Sequence, residues 1–220
     1  MHTLYFSPGA CSMAPHILLH ELNLPHRTVR VFTGDEEHRA AAYLELNPLG
    51  KIPTLVRDDG ATLTEVAAIL PYLAALAPSA GLWPEDPWGR AQAGAWLGLI
   101  ASQVHPAYAL AIRPDRTLPG ASEATLVEAR AGGRRRFEEL LDHLEARFVG
   151  PFALGESFSV VDPYLFVMLA WARYIDVSLQ RRPRLQDLSR RMATRPSVQA
   201  TFVAEALVDA QGRPTPPVRV

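Results

Sequence analysis

Residues 77–87 carry Pro78, Gly81, Pro84 and Pro87, and beyond them the alternating β-branched runs that mark strands do not return. Any sheet in this chain must therefore come from the first 77 residues, with helices alone following. Within that first part the pattern predicts a strand at 2–6 and a helix at 12–23, with Met13, Ile17, Leu18 and Leu22 at helical spacing. A strand at 27–32 and a short helix at 36–46 follow. Strands at 54–57 and 61–64 flank the hairpin turn Asp58-Asp59-Gly60, and a helix from Glu65 to about Leu76 completes the unit. Pro15 and Pro71 fall inside predicted helices. Pro15 sits in a first turn, where a missing N–H costs nothing, whereas Pro71 implies a kink.

This order is that of a thioredoxin-like α/β domain with a small mixed sheet, parallel at first and then antiparallel. The expected organisation is such a domain at 1–77, a linker at 78–87, an all-helical domain at 88–208 and an irregular tail at 209–220. Trp88, Ala91, Ala95 and Leu99 recur at intervals of three and four, as a bundle helix requires, and a second long helix is predicted over 123–148. Gly132 and Gly133 inside it each cost on the order of 1 kcal/mol relative to Ala, which implies close packing or a bend. A third helix, 160–174, is apolar on nearly every face and should form the centre of the second core. At its start the Ser159 hydroxyl is expected to cap the third helical N–H and the Asp162 carboxylate to reach back to the Ser159 N–H. Shorter helices at 184–194 and 197–207 are separated by Pro196.

A net charge of −1 gives no electrostatic footprint for nucleic acid or an anionic membrane, and Arg134, Arg135 and Arg136 read as a solvated helix face. With 48% hydrophobic residues the chain can bury a substantial core. No signal-like opening is visible, and no run approaches the roughly 18 uninterrupted apolar residues of a membrane span. A cytoplasmic protein is expected.

Cys11 is the only cysteine. It lies in Ser7-Pro8-Gly9-Ala10-Cys11-Ser12, between a strand and a helix start, where unpaired N–H groups favour a thiolate, either its own or that of a bound thiol. Packing as a small hydrophobe is the competing reading. Lacking a Cys-x-x-Cys partner, it can act only as a single thiol with an outside partner. His16 and His20, spaced i, i+4, have no accompanying cysteine or carboxylate signature, so they read as solvent-facing and no metal is expected.

Leu46-Asn47-Pro48-Leu49-Gly50-Lys51-Ile52-Pro53-Thr54-Leu55, followed by Leu63-Thr64-Glu65, resembles the glutathione-site core of the glutathione S-transferases. Together with the Cys11 loop, Ala101-Ser102-Gln103-Val104-His105 and Phe158-Ser159-Val160-Val161-Asp162-Pro163-Tyr164-Leu165-Phe166, it is similar to the bacterial beta class over residues 2 to about 208. The resemblance implies glutathione as co-substrate, a homodimer, no metal, and a role in detoxification of small electrophiles. It implies a cis Ile52–Pro53 peptide whose Ile52 N–H and C=O pair with the cysteinyl backbone of glutathione. Glu65 would receive the γ-glutamyl ammonium while helix N–H groups at Val66 take the carboxylate. Cys11 and His105 would serve the thiol, and Ser102 and Gln103 would reach glutathione, Ser102 across the dimer. An apolar electrophile would meet Tyr108, Ile112 and Trp171.

The chain departs from that pattern at Val66, where Ser or Gly is usual, at Gly98 for Asn, at Phe6 for Tyr, and in lacking a lysine near Thr33-Gly34-Asp35. Each lost polar contact weakens binding by about 0.5–1.5 kcal/mol. Pro106, where lysine is usual, is expected to disfavour helical geometry at His105. The implied activity is conjugation of the glutathione thiol to apolar electrophiles. Thiol–disulfide exchange through Cys11 and a non-catalytic binding or scaffolding role are the alternatives.

Overall fold

The computed structural model describes residues 1–207, so the expected tail at 209–220 lies outside the described residues. Strands β1 (His2–Phe6), β2 (His26–Arg30), β3 (Thr54–Arg57) and β4 (Thr62–Thr64) form one sheet in the order β2-β1-β3-β4. β1 and β2 are parallel, while β3 is antiparallel to both β1 and β4, with Leu4 opposite Leu55. Helices α1 (Met13–Glu21), α2 (Ala41–Leu46) and α3 (Val66–Ala75) complete this part. The predicted single helix at 36–46 is instead a 3-10 turn, Glu37–Arg39, and then α2, separated by Ala40 in an extended conformation.

After a 3-10 turn at Pro78–Ala80 the chain is helical: α4 (Pro87–Leu99), a π-helical turn at Ile100–Val104, α5 (His105–Ile112), α6 (Pro114–Thr117), α7 (Glu123–Arg147), α8 (Val161–Ala172), α9 (Pro183–Ala193) and α10 (Pro196–Ala204). α4 starts as its sequence allows, with Pro87 at the first helical position and the Asp86 carboxylate accepting from the Gly89 N–H at 2.8 Å. Of the stripe Trp88, Ala91, Ala95 and Leu99, only Leu99 packs against the core. Trp88, Ala91 and Ala95 are exposed, and Ala93, Trp96, Leu97, Ile100 and Val104 are buried instead. Small residues at 91, 94, 95 and 98 make the outward face almost as apolar as the inward one, so periodicity alone could not orient the helix.

α8 runs through the centre of the helical part and every residue but Ala170 is buried. Its start differs from the expected cap. Asp162 does reach back, its carboxylate accepting from the Ser159 N–H at 2.7 Å. The Ser159 hydroxyl, however, donates to that same carboxylate at 2.9 Å and accepts from Val161 N–H at 3.3 Å rather than from the third helical N–H. The other Asp162 oxygen accepts from Ala153 N–H at 2.8 Å, tying the preceding loop to the helix. Gly133 explains the glycine pair in α7. A Cβ there would lie 2.5 Å from Ala111 N and 2.8 Å from Ala107 O, so α5 and α7 touch backbone to backbone at that point.

His16 and His20 are not solvent-facing. α1 is wrapped by α3, α8 and α10, and every residue from Met13 to Leu19 is buried. His16 is fully enclosed, and its Nδ1 lies 2.8 Å from Glu205 Oε1. Burial pushes the Glu205 carboxyl up to about 8 and the His16 imidazole down to about 4. His20 is partly buried, and burial also holds it down at about 4.

Candidate active site

A cleft of about 1710 Å³ opens between the edge of the sheet domain and the helices α5, α7 and α8. Cys11, Ile52, Pro53, Glu65, Val66, Ser102, Gln103, His105, Tyr108, Ile112 and Trp171 all line it. Sequence positions as far apart as 11 and 171 are thus brought to one surface.

The floor of the cleft is the Ile52–Pro53 turn, whose peptide is cis. α2 holds that turn in place. Tyr43 Oη and Asn47 Nδ2 both donate to the Lys51 carbonyl at 2.7 Å, and Gly50, at φ +57°, lets the chain pass where a Cβ would lie 2.9 Å from His38 O. Beside it, the Cys11 Sγ donates to the Ile52 carbonyl at 3.2 Å. Burial pushes the Cys11 thiol up to about 12, overriding the smaller pull of the backbone N–H groups at Cys11 and Ser12. The side chain is a protonated donor at neutral pH. Of the two thiolates that the loop was expected to favour, that of Cys11 itself is therefore corrected. α1 begins at Met13, and the Ser12 hydroxyl turns back to close the loop, accepting from Ser7 N–H at 3.2 Å and donating to Ser7 O at 3.1 Å.

The loop is clamped from the helical side. Gly9, at φ +70°, donates its N–H to Glu205 Oε2 at 2.8 Å and accepts at its carbonyl from Trp171 Nε1 at 2.9 Å. Neither Glu205 nor Gly9 was singled out from sequence. A glutamate just past the end of a short helix carries no local signal that it will be buried against residue 9.

At the opposite end, Glu65 precedes α3 with φ +68° and ψ +119°, a conformation that costs a non-glycine residue on the order of 1–3 kcal/mol. Its carboxylate makes no hydrogen bond or ion pair among the described residues, and it is exposed to the cleft. The first N–H groups of α3 follow immediately at Val66.

His105 does not lose helical geometry to Pro106. Its φ and ψ are −62° and −46°, and the π turn before it absorbs the proline by shifting register, so that the His105 N–H bonds the Ile100 carbonyl. The ring packs 5.1 Å from that of Trp171, and its Nδ1 lies 3.1 Å from Tyr164 Oη. Burial holds the imidazole down at about 4, with the Lys51 charge adding to the effect. Tyr164 belongs to a motif read from sequence, yet only the fold reveals its hydroxyl on His105. Tyr108 stacks on Trp171 with centroids 4.5 Å apart, which forms an aromatic wall. Ser102 and Gln103 are exposed on the π turn, and the Gln103 Oε1 accepts from Arg136 at 3.3 Å.

The arrangement offers a strand-like backbone edge, a thiol donor beside it, a free carboxylate at a helix start, and an aromatic wall. Known proteins resemble the chain over the same span. The family model "Glutathione S-transferase, N-terminal domain" matches residues 9–76, and "Glutathione S-transferase, C-terminal domain" matches residues 127–191. The glutathione S-transferase GstA of Escherichia coli O157:H7 is 33% identical over 213 residues, covering 93% of this chain and 98% of its own. A glutathione transferase homolog from Sulfitobacter, solved with bound glutathione, superposes with a TM-score of 0.87 at 36% identity, covering 93% of this chain and 98% of that one. The bacterial beta class glutathione S-transferase of Sphingomonas chungbukensis gives 0.82 at 36% identity, covering 94% and 100%. With its motifs, its fold and both of its halves matched in order, the chain belongs to the glutathione S-transferase family.

Proposed function

We propose that the protein is a glutathione transferase that binds glutathione extended along the Ile52–Pro53 turn and transfers its sulfur to apolar electrophiles held against Tyr108, Ile112 and Trp171. The observation that carries this reading is the Cys11 Sγ donating to the Ile52 carbonyl at the bottom of the cleft. An extended peptide beside Ile52 presents its own N–H to that carbonyl, and the Cys11 S–H is then released to donate to the peptide's sulfur. A thiol donor, together with the N–H groups of the Cys11 loop, stabilises the bound thiolate. Neutral His105, held by Tyr164, orients the sulfur and the leaving group, and acts as a base only weakly. Glu65 takes the ligand ammonium and the start of α3 its carboxylate.

Turnover of a chlorinated aromatic electrophile and of a mixed disulfide, by wild type and by Cys11→Ala, tests the reading. Conjugation by wild type, slowed in the variant, supports it. Turnover of the disulfide alone, abolished in the variant, would establish thiol–disulfide exchange instead. That second reading is disfavoured by the buried, protonated state of Cys11, since the nucleophile in exchange is a thiolate. Absence of glutathione binding would leave only a scaffolding role.

A homodimer fits the surface of α4. The continuous helical stretch Pro87–Ile112 is strongly apolar, yet only about a third of its most apolar part is buried in the single chain. The exposed Trp88, Ala91, Ala95 and Gly98 form the apolar face that a second copy would cover, beside Ser102 in the cleft. Within such a dimer the Ser102 hydroxyl would face the partner's glutathione. Small-molecule electrophiles as substrates and a cytoplasmic setting complete the reading.

A further inference from the structure

His16 and His20 on α1 stack with ring centroids 5.0 Å apart, and His26, the first residue of β2, closes the group edge-on at 5.8 and 5.1 Å. One ring nitrogen from each of the three lies within 4.8 Å of the others. The Nε2 atoms of His16 and His20 are both shielded from solvent and have no hydrogen-bond partner, and His16 is wholly buried. An orphaned ring nitrogen on each of two stacked imidazoles is costly for ordinary packing, where apolar rings would serve better.

The remaining nitrogens are held from behind. His26 Nδ1 lies 2.8 Å from the Leu24 carbonyl, which can only accept, so Nδ1–H donates to it and Nε2 is the ring nitrogen left for an ion. His16 Nδ1 lies 2.8 Å from Glu205 Oε1, and the other oxygen of that carboxyl accepts from Gly9 N–H at 2.8 Å. A carboxylate behind one imidazole and a carbonyl behind another are the outer partners that orient metal-binding histidines.

We propose that His16, His20 and His26 form a binding site for a zinc-class divalent metal ion, separate from the cleft. Three imidazoles without thiols or clustered carboxylates suit Zn²⁺ and disfavour Ca²⁺ or Mg²⁺, which require oxygen ligands. Tetrahedral Zn–N bonds of about 2.0–2.1 Å bring ligand nitrogens to roughly 3.4 Å from one another, so the rings rotate inward as the ion enters. On binding, the His16 Nε2 lone pair takes the ion while Nδ1–H donates to the Glu205 carboxylate behind it. His20 and His26 are only partly buried, so the ion enters from their side and a water completes its four-coordination.

The experiment uses the full chain, freed of any affinity tag and stripped by a chelator, with Zn²⁺ uptake followed by calorimetry and Co²⁺ by its visible spectrum. The expected result is one equivalent of either ion, with the intense bands of a four-coordinate Co²⁺ site that Zn²⁺ displaces. His26→Gln and His20→Asn should each lower affinity by more than the roughly 10–100-fold cost of losing an outer partner, while conjugation activity stays at the wild-type level. Should His20→Asn fail to fold, His26→Gln at the more open position decides. No stoichiometric uptake by folded wild type, or uptake of equal affinity in the folded variants, would overturn the proposal.

Discussion

Cys11 and His105 hold their protonation states through burial, and both are fixed across the neutral range. His105 has a folded value of about 4 against an ordinary 6.5, so its contribution to stability is fully present above 6.5 and is lost as pH falls through 4. The shift amounts to about 3 kcal/mol. Urea unfolding at pH 7 and pH 4 should therefore show wild type losing about that much more than His105→Gln, and the His105 ring resonances should titrate near 4. Cys11, raised from 9.0 to about 12, behaves oppositely, and its contribution fades only as pH rises through that range. Glu65 tests the ligand side. Glu65→Ala keeps the backbone of a non-glycine residue but removes the carboxylate, so glutathione affinity should fall about 30-fold, the cost of one charge-assisted pair, with the thermal midpoint little changed. Equal affinity in wild type and variant would remove Glu65 from the site.

Among the elements, the glycine pair in α7 separates two effects that sequence leaves superimposed. Gly132→Ala meets nothing closer than Arg135 Nη2 at 4.0 Å and should stabilise by about 0.5–1 kcal/mol through helix propensity. Gly133→Ala puts its Cβ into the backbone of α5 and should destabilise by about 1–3 kcal/mol, since α5 and α7 must part. Chemical denaturation of the two variants checks the pair. Most of the element order was legible because punctuation by Pro, Gly and Asp-Gly marks where strands and helices stop. What escaped was orientation. α4 was read on the stripe that turns outward, because alanine and glycine at 91, 94, 95 and 98 mimic a core face. Pro106 disfavours helical geometry at His105 in any sequence reading, and only a register shift over five residues, invisible to periodicity, reconciles the two.

For the whole molecule, the cleft exists because the helical part grips the Cys11 loop through Trp171 and Glu205, both of them bonded to Gly9. The motif residues were readable one by one, but this grip was not, and neither was the enclosure of His16. Both depend on α8 and α10 closing over α1, a packing of segments at least 140 residues apart. The exposed apolar face of α4 belongs to this scale as well. Sedimentation should give the mass of a homodimer, and Ala95→Arg on that face should shift it toward monomer; a monomeric wild type at working concentration would contradict the assembly. The account stands most directly on the state of the bound sulfur. Titrating glutathione-loaded protein by its thiolate absorbance should give an apparent pKa well below the roughly 8.5 of a free thiol, moving back upward in Cys11→Ala. A bound glutathione that ionises no more readily than free glutathione, or equally in both proteins, would contradict it.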